Sequence, residues 1–221
     1  MHARSSPDSS TNQPKRRSRG RPRLEQVANI ENELVEVALS EFLKHGYGDT
    51  SMANIVKAAG VSKTTLYSRF SSKEALFIAM MRKMIEGDLS TQIRADPSPS
   101  RSLADMLREF SYRSLQISLD PVHYGVIRLI YGESHRFPEL RKAGEQLAQT
   151  SVSGILNILA GYAEREGLVF RNPEIPARSL TLMLRGFHLD VLLSENKVLN
   201  KARRREIDQF IALIVGTMDD W

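Results

Sequence analysis

The 221-residue chain contains no cysteine. That removes disulfide staples, thiolate metal sites and cysteine nucleophiles together. It has no apolar run of the length, about 18 residues, that marks a membrane-crossing helix. The basic N-terminus lacks the apolar segment of a secretory signal, so a cytoplasmic location is expected. No stretch alternates apolar and polar residues between turn signals, which leaves helices as the regular structure. The five histidines are scattered without metal-ligand spacing. Glu133 and His135 are too close for a zinc-binding helix, which needs two histidines four apart. Gly20-Arg21-Pro22 is not a phosphate loop. No catalytic residue, no metal and no cofactor is therefore expected, and the chain does not read as an enzyme.

What is present is enough for a core: 41% hydrophobic and 26% charged residues, typical of globular proteins. The net charge is +5, and its placement says more than its size. Residues 1–23 hold seven Lys and Arg against one acid, Asp8, a balance of +6 that leaves −1 for the rest. This end is rich in Ser, Pro, Gln and Arg and nearly devoid of apolar side chains. Such a composition cannot bury enough surface to offset ordering entropy, so a disordered basic arm is expected. A concentrated cationic end on a near-neutral body suits a polyanionic partner. Within it, Arg19-Gly20-Arg21-Pro22 resembles the core of an AT-hook, whose arginines enter a narrow minor groove. The alternative is a solvated tail that adds phosphate attraction alone.

From Leu24 to His45 apolar residues recur helically: Leu34, Ala38 and Phe42 four apart, with Val35, Leu39 and Leu43 beside them. Gly46 reads as the C-cap. Ser51 is placed to cap a two-turn helix over Met52–Ala59, with Ile55, Ala58 and Ala59 inward. Gly60 supplies a left-handed turn. Ser62 caps the next helix, from Lys63 to about Arg69, with Leu66 and Phe70 inward. Ser72 opens a long helix toward Arg94, with Leu76, Phe77, Met80, Met84 and Ile85 on its buried side. Asp96-Pro97-Ser98-Pro99-Ser100 breaks the pattern, because proline is expelled from helix interiors. Helices then follow from Ser102 to about Ser118, Asp120 to about Ser134, Phe137 to about Glu166, Asn172 to about Glu195 and Lys201 to about Met218.

Two short helices around Gly60, the second opening on small polar and basic residues, describe a helix-turn-helix suited to the major groove of DNA. The dense pattern Ala38-Leu39, Phe42, Gly46-Tyr47, Thr50-Ser51, Ile55, Ala58-Ala59-Gly60-Val61-Ser62, Thr65-Leu66-Tyr67, Phe70 and Ser72-Lys73-Glu74-Ala75-Leu76 resembles the N-terminal domain of the tetracycline-repressor (TetR) family. Arg128 to Leu140 (RLIYGESHRFPEL) resembles the C-terminal domain of AefR-like or AcrR-type members. The resemblance implies an all-α fold, homodimers, binding to double-stranded DNA and, usually, repression relieved by a small molecule. The expected organisation is a basic arm at 1–23, a three-helix DNA-binding domain at 24–77, and a helical ligand-binding and dimerisation domain at 78–221.

Candidate residues follow by position. Lys63, Thr64 and Thr65 lead the recognition helix, where lysine donates to guanine and threonine reads a base edge or a thymine methyl. Tyr67, Ser68, Arg69 and Lys73 are phosphate candidates, with Thr50, Ser51 and Ser62 as caps that could also face DNA. Arg19, Arg21 and Arg23 serve from the arm. Stripes on the last two helices suggest a four-helix dimer interface: Leu180, Met183, Leu184, Phe187 and Val191 on one, Phe210, Leu213, Ile214 and Met218 on the other. A small-molecule effector would lie among the middle helices, near Met106, Phe110, Tyr112, Tyr124, Arg128, Tyr131, Leu159, Tyr162 and Phe187. His123 and His188 are polar handles there, and Arg128 and Glu133 would orient a charged group. The competing reading is an architectural DNA-binding protein without a ligand, in which the arm dominates.

Overall fold

A computed structural model describes residues 24–92, 101–194 and 198–217. The described residues form nine helices and no strand. They are α1 Leu24–His45, α2 Met52–Ala59, α3 Lys63–Tyr67, α4 Lys73–Gln92, α5 Leu103–Leu119, α6 Pro121–Glu133, α7 Pro138–Glu166, α8 Glu174–Leu193 and α9 Lys201–Gly216. The arm at 1–23, the proline-bearing break at 96–100 and Met218 lie outside the described residues.

The punctuation is chemical. Ser51, Ser62 and Ser102 each accept the backbone N–H three residues on, at 3.1, 3.0 and 3.1 Å. Each such cap stabilises its helix by roughly 1 kcal/mol. Asp120 caps α6 ahead of Pro121, which fits the first helical turn because it needs no donor there. Gly60 and Gly167 end α2 and α7 with φ of 65° and 67°, a region that a Cβ disfavours.

Two apolar cores result, and they do not divide the chain at residue 77. The first joins Leu34, Phe42, Ile55, Leu66, Phe77 and Met80 of α1–α4 to Val126, Leu129 and Ile130 of α6 and Leu140 and Ala143 of α7. The second joins α5, the C-terminal half of α7, α8 and α9 through residues such as Leu107, Phe110, Ile155, Leu180, Leu184, Ile207 and Ile211. At its edge Tyr112 donates to Asp208 at 2.6 Å, and Arg108 pairs with the same carboxylate at 2.8 Å, tying α5 to α9. Ala58, expected inward, is exposed, and Met52 takes its place beside Ile55.

Candidate functional site

The candidate reading surface is α3 with its flanks. Residues 50–73 contain Lys57, Lys63, Arg69 and Lys73 and no acid. Leu66 is fully buried, which turns Lys63, Thr64, Tyr67 and Ser68 outward. Tyr67 is 51% exposed. Thr65 is half-buried, with its hydroxyl 2.8 Å from that of Ser62. Ser51 and Ser62 are exposed as well as capping. Lys57, exposed in the last turn of α2, joins this face although sequence reasoning passed it over.

Three expected DNA contacts have partners within the protein. Thr50 is 1% exposed, and its hydroxyl donates to Gly46 O at 2.7 Å and Glu41 O at 3.1 Å. Arg69 pairs with Glu31 of α1 at 3.0 Å and is largely covered. Lys73 lies half-buried over the α1–α2 loop. Its ammonium donates to Tyr47 O at 2.7 Å, Thr50 O at 3.0 Å and, more weakly, Gly48 O at 3.4 Å. It also sits 4.3 Å from the centre of the Tyr47 ring. Burial lowers the Lys73 pKa, opposed by the carboxylates of Glu139, Glu133 and Asp49. This lysine, expected as a phosphate donor, is a clamp on carbonyls here.

The same loop is held from the opposite side. Glu133, at the end of α6, accepts the backbone N–H of Tyr47 at 2.8 Å and of Gly48 at 2.9 Å. A Cβ on Gly48 would stand 3.2 Å from the Glu133 carboxylate and 3.3 Å from Phe137, so the loop has little room there. Tyr47 is fully buried and donates its hydroxyl to Glu139 of α7 at 2.6 Å. Burial first, then that carboxylate, raises the phenol's pKa and keeps it protonated. Its ring meets Phe42, Phe77 and Phe137 at centroid separations of 5.3, 5.2 and 5.0 Å. Glu133, expected to orient a charged group, here binds α6 to the loop that leads into the helix-turn-helix.

A cavity of about 500 Å³ opens between α4, α5, α6, α7 and α8. Of the nine expected lining residues, Phe110 and Tyr131 are on it. Tyr124 lines a neighbouring void of about 10 Å³. Met106, Tyr112, Leu159, Tyr162 and Phe187 belong to the second core, and Arg128 is exposed. His123 and His188 do line the cavity. Sequence reasoning missed Met81, Met84 and Ile85 of α4, because an apolar face reads the same whether it meets a neighbour or a hollow. It also missed Ser118, Thr181 and Arg185.

The expected dimer stripe divides. Leu180, Leu184 and Val191 are buried within the subunit, and Met183, Phe187 and Ile214 are half-buried against its core. Phe187 meets Phe210 edge to face, with centroids 6.5 Å apart. The face that α8 leaves outward carries Leu182, Leu189 and Leu193, and α9 adds Phe210 and Leu213, 47% and 69% exposed.

Comparisons with known proteins agree with this arrangement. Residues 34–80 match the family model for bacterial regulatory proteins of the tetR family. Residues 105–218, just over half the chain, match that for the AefR-like transcriptional repressor C-terminal domain. The transcriptional repressor ComR of Escherichia coli K12 is 37% identical over 71 residues, 32% of either chain. The regulator RutR of the same organism is 35% identical over 77 residues, 34% of this chain and 36% of RutR. The match thus spans about a third of the length of these curated relatives. Among solved structures, the flavonoid-responsive regulator FrrA superposes with a TM-score of 0.70 at 28% identity, over 86% of this chain and 97% of FrrA. A transcriptional regulator from Pseudomonas aeruginosa PAO1 gives 0.70 at 20% identity, over 95% and 99% of the two chains. The two models cover the helix-turn-helix and the helical body in turn, and the chain belongs to the tetR family of bacterial regulatory proteins.

Proposed function

We propose that the chain is a sequence-specific DNA-binding transcriptional regulator, acting in the cytoplasm as a homodimer, and a repressor released from a palindromic operator by a small molecule. The observation that carries this reading is the route from cavity to reading head. Met81, Met84 and Ile85 line the cavity from α4, whose first residue clamps the loop before α2. Ile130 lines it from α6, three residues before Glu133, which holds the same loop. A molecule that spreads α4 from α6 shifts both grips at once. Coupling needs such differential contact with two states.

Lys63, Thr64, Thr65 and Tyr67 are assigned to the major groove, with Ser68, Ser51, Ser62 and Lys57 on the flanking phosphates. Arg19, Arg21 and Arg23 are assigned to the adjoining duplex. The outward faces of α8 and α9 form the dimer, placing two recognition helices about one helical turn of DNA, or a multiple of it, apart. ComR carries the name of a repressor and FrrA that of a flavonoid-responsive regulator, which support repression and a small-molecule signal here. No helix among the described residues is long and apolar enough to cross a membrane.

The test is selection of bound fragments from the source genome, followed by affinity measurement at one fixed salt concentration. The selected palindrome should bind about a thousandfold or more tighter than random DNA of equal length. Comparable affinities would replace the repressor with an architectural protein.

A further inference from the structure

The cavity's polar groups form a pattern that restricts what it holds. Ser118, Thr181, Ser151 and Thr150 line it, and each donates its hydroxyl hydrogen to its own helix. The acceptors are Leu115 O at 2.8 Å, Ala177 O at 2.8 Å, Leu147 O at 3.3 Å and Gln146 O at 2.9 Å. Their donors are spent, so these side chains offer lone pairs. Among the lining residues Glu145 is the single acid; it stands exposed at the rim and pairs with Arg141 at 3.7 Å. Arg185 adds a rim cation of its own, one position into the turn before His188. Ser114, Ser134, Tyr131 and His123 add further polar side chains, and the remainder of the wall is apolar: methionines of α4, the branched side chains of α6, Phe110 and Leu184.

His188 stands apart from this set. Its Nε2 is buried and has no hydrogen-bond partner in the protein. Buried polar atoms are almost always paired, and the side chain that carries this orphan lines the cavity. Burial and the neighbouring Arg185 disfavour the imidazolium, so the ring is neutral and one nitrogen accepts. A cationic guest would meet Arg185 with no free carboxylate to receive it. An apolar guest without a donor would leave Nε2 unpaired.

We propose that the cavity selects an uncharged, largely apolar molecule carrying a hydroxyl, and that His188, with its ring proton on Nδ1, reads this hydroxyl through Nε2. The inference rests on the reading of the cavity as the effector site, and it adds a ligand class and a specificity-determining residue. One competitor is local: the void of about 10 Å³ beside His188, Tyr124 and Ser118 is the size of a single water. A water trapped there would satisfy Nε2 without any ligand.

Three probes of similar size separate these cases in the full-length protein: 2-naphthol, 2-methoxynaphthalene and 2-naphthylmethylammonium, titrated by fluorescence. 2-Naphthol should bind about tenfold tighter than its methyl ether, the worth of one buried hydrogen bond, and the cation should bind weakest. His188→Leu should bind naphthol and ether equally while keeping the wild-type circular dichroism. His188→Gln, which retains an acceptor, should restore part of the preference. Equal affinities in the wild type, as a trapped water would give, overturn the assignment. So does a naphthol preference that survives in His188→Leu, or absence of binding by all three probes up to about 1 mM. The same titration on operator-bound protein separates the two readings. A His188-dependent preference with no change in DNA occupancy leaves the assignment standing and removes the ligand-released repressor.

Discussion

Glu133 and Lys73 grip one short loop from opposite sides, the first through N–H groups, the second through carbonyls. Glu133→Ala leaves two backbone donors without their acceptor. The expected loss is about 2–6 kcal/mol in urea unfolding, since each of the two orphaned donors costs about 1–3; a change below about 0.5 kcal/mol, the range of inert surface substitutions, would show that water replaces the carboxylate freely. Lys73→Met should weaken operator binding by loosening the loop while leaving the slope of log affinity against log salt unchanged. A slope reduced by about 0.9 would return Lys73 to the phosphates. His188 titrates in the opposite sense to a paired histidine. Its folded pKa is about 4, against 6.5 in the open chain. Between those values the unfolded chain binds a proton that the folded chain refuses, so stability is full above pH 6.5 and falls as pH drops toward 4. The loss reaches up to about 3 kcal/mol, and His188→Leu should flatten that part of the denaturation profile.

Helices α8 and α9 show where periodicity stops being informative. In α8, apolar residues fall at 180, 183, 184, 187 and 191 and again at 182, 189 and 193, so two faces compete for one partner. The denser stripe reads as the dimer face in the sequence, but the subunit's own α5 and α7 take it, and the sparser stripe is left outward. Leu189→Glu and Leu213→Glu should therefore yield folded monomers by sedimentation, whereas Leu184→Glu, inside the core, should unfold the chain. A persistent dimer in the first two variants would place the interface elsewhere. Elsewhere the elements were legible to within a residue or two, because their ends are written in local chemistry: Ser51, Gly60, Ser62, Ser102, Asp120 and Gly167. The outward residues of α3 were legible for the same reason, since Leu66 and Phe70 leave one face. The cavity was not, because its wall comes from five helices distant in sequence. The Glu133 clasp was not either: it joins residues 86 apart, and nothing local distinguishes Glu133 from any exposed glutamate.

At the scale of the molecule, charge is unevenly divided along the chain. The body from residue 24 onward sums to −1, while residues 1–23 carry +6. Deleting 1–23 should lower affinity for operator and random DNA alike and reduce the salt slope by about 0.9 for each phosphate that the arm neutralises. An unchanged slope would mean that the arm does not touch DNA. The clasp has a consequence for how such a protein can be rebuilt. Its reading head shares a core with α6 and the start of α7, and its entry loop is closed by Glu133 and Glu139. The head is not a detachable cassette. A chimaera cut between α4 and α5 would bring a foreign body against Tyr47 and strand its two partners. In this chain the portable unit is residues 24–92 together with the α6–α7 corner, and a foreign body should keep the head's stability where it supplies two carboxylates and an aromatic residue at that corner.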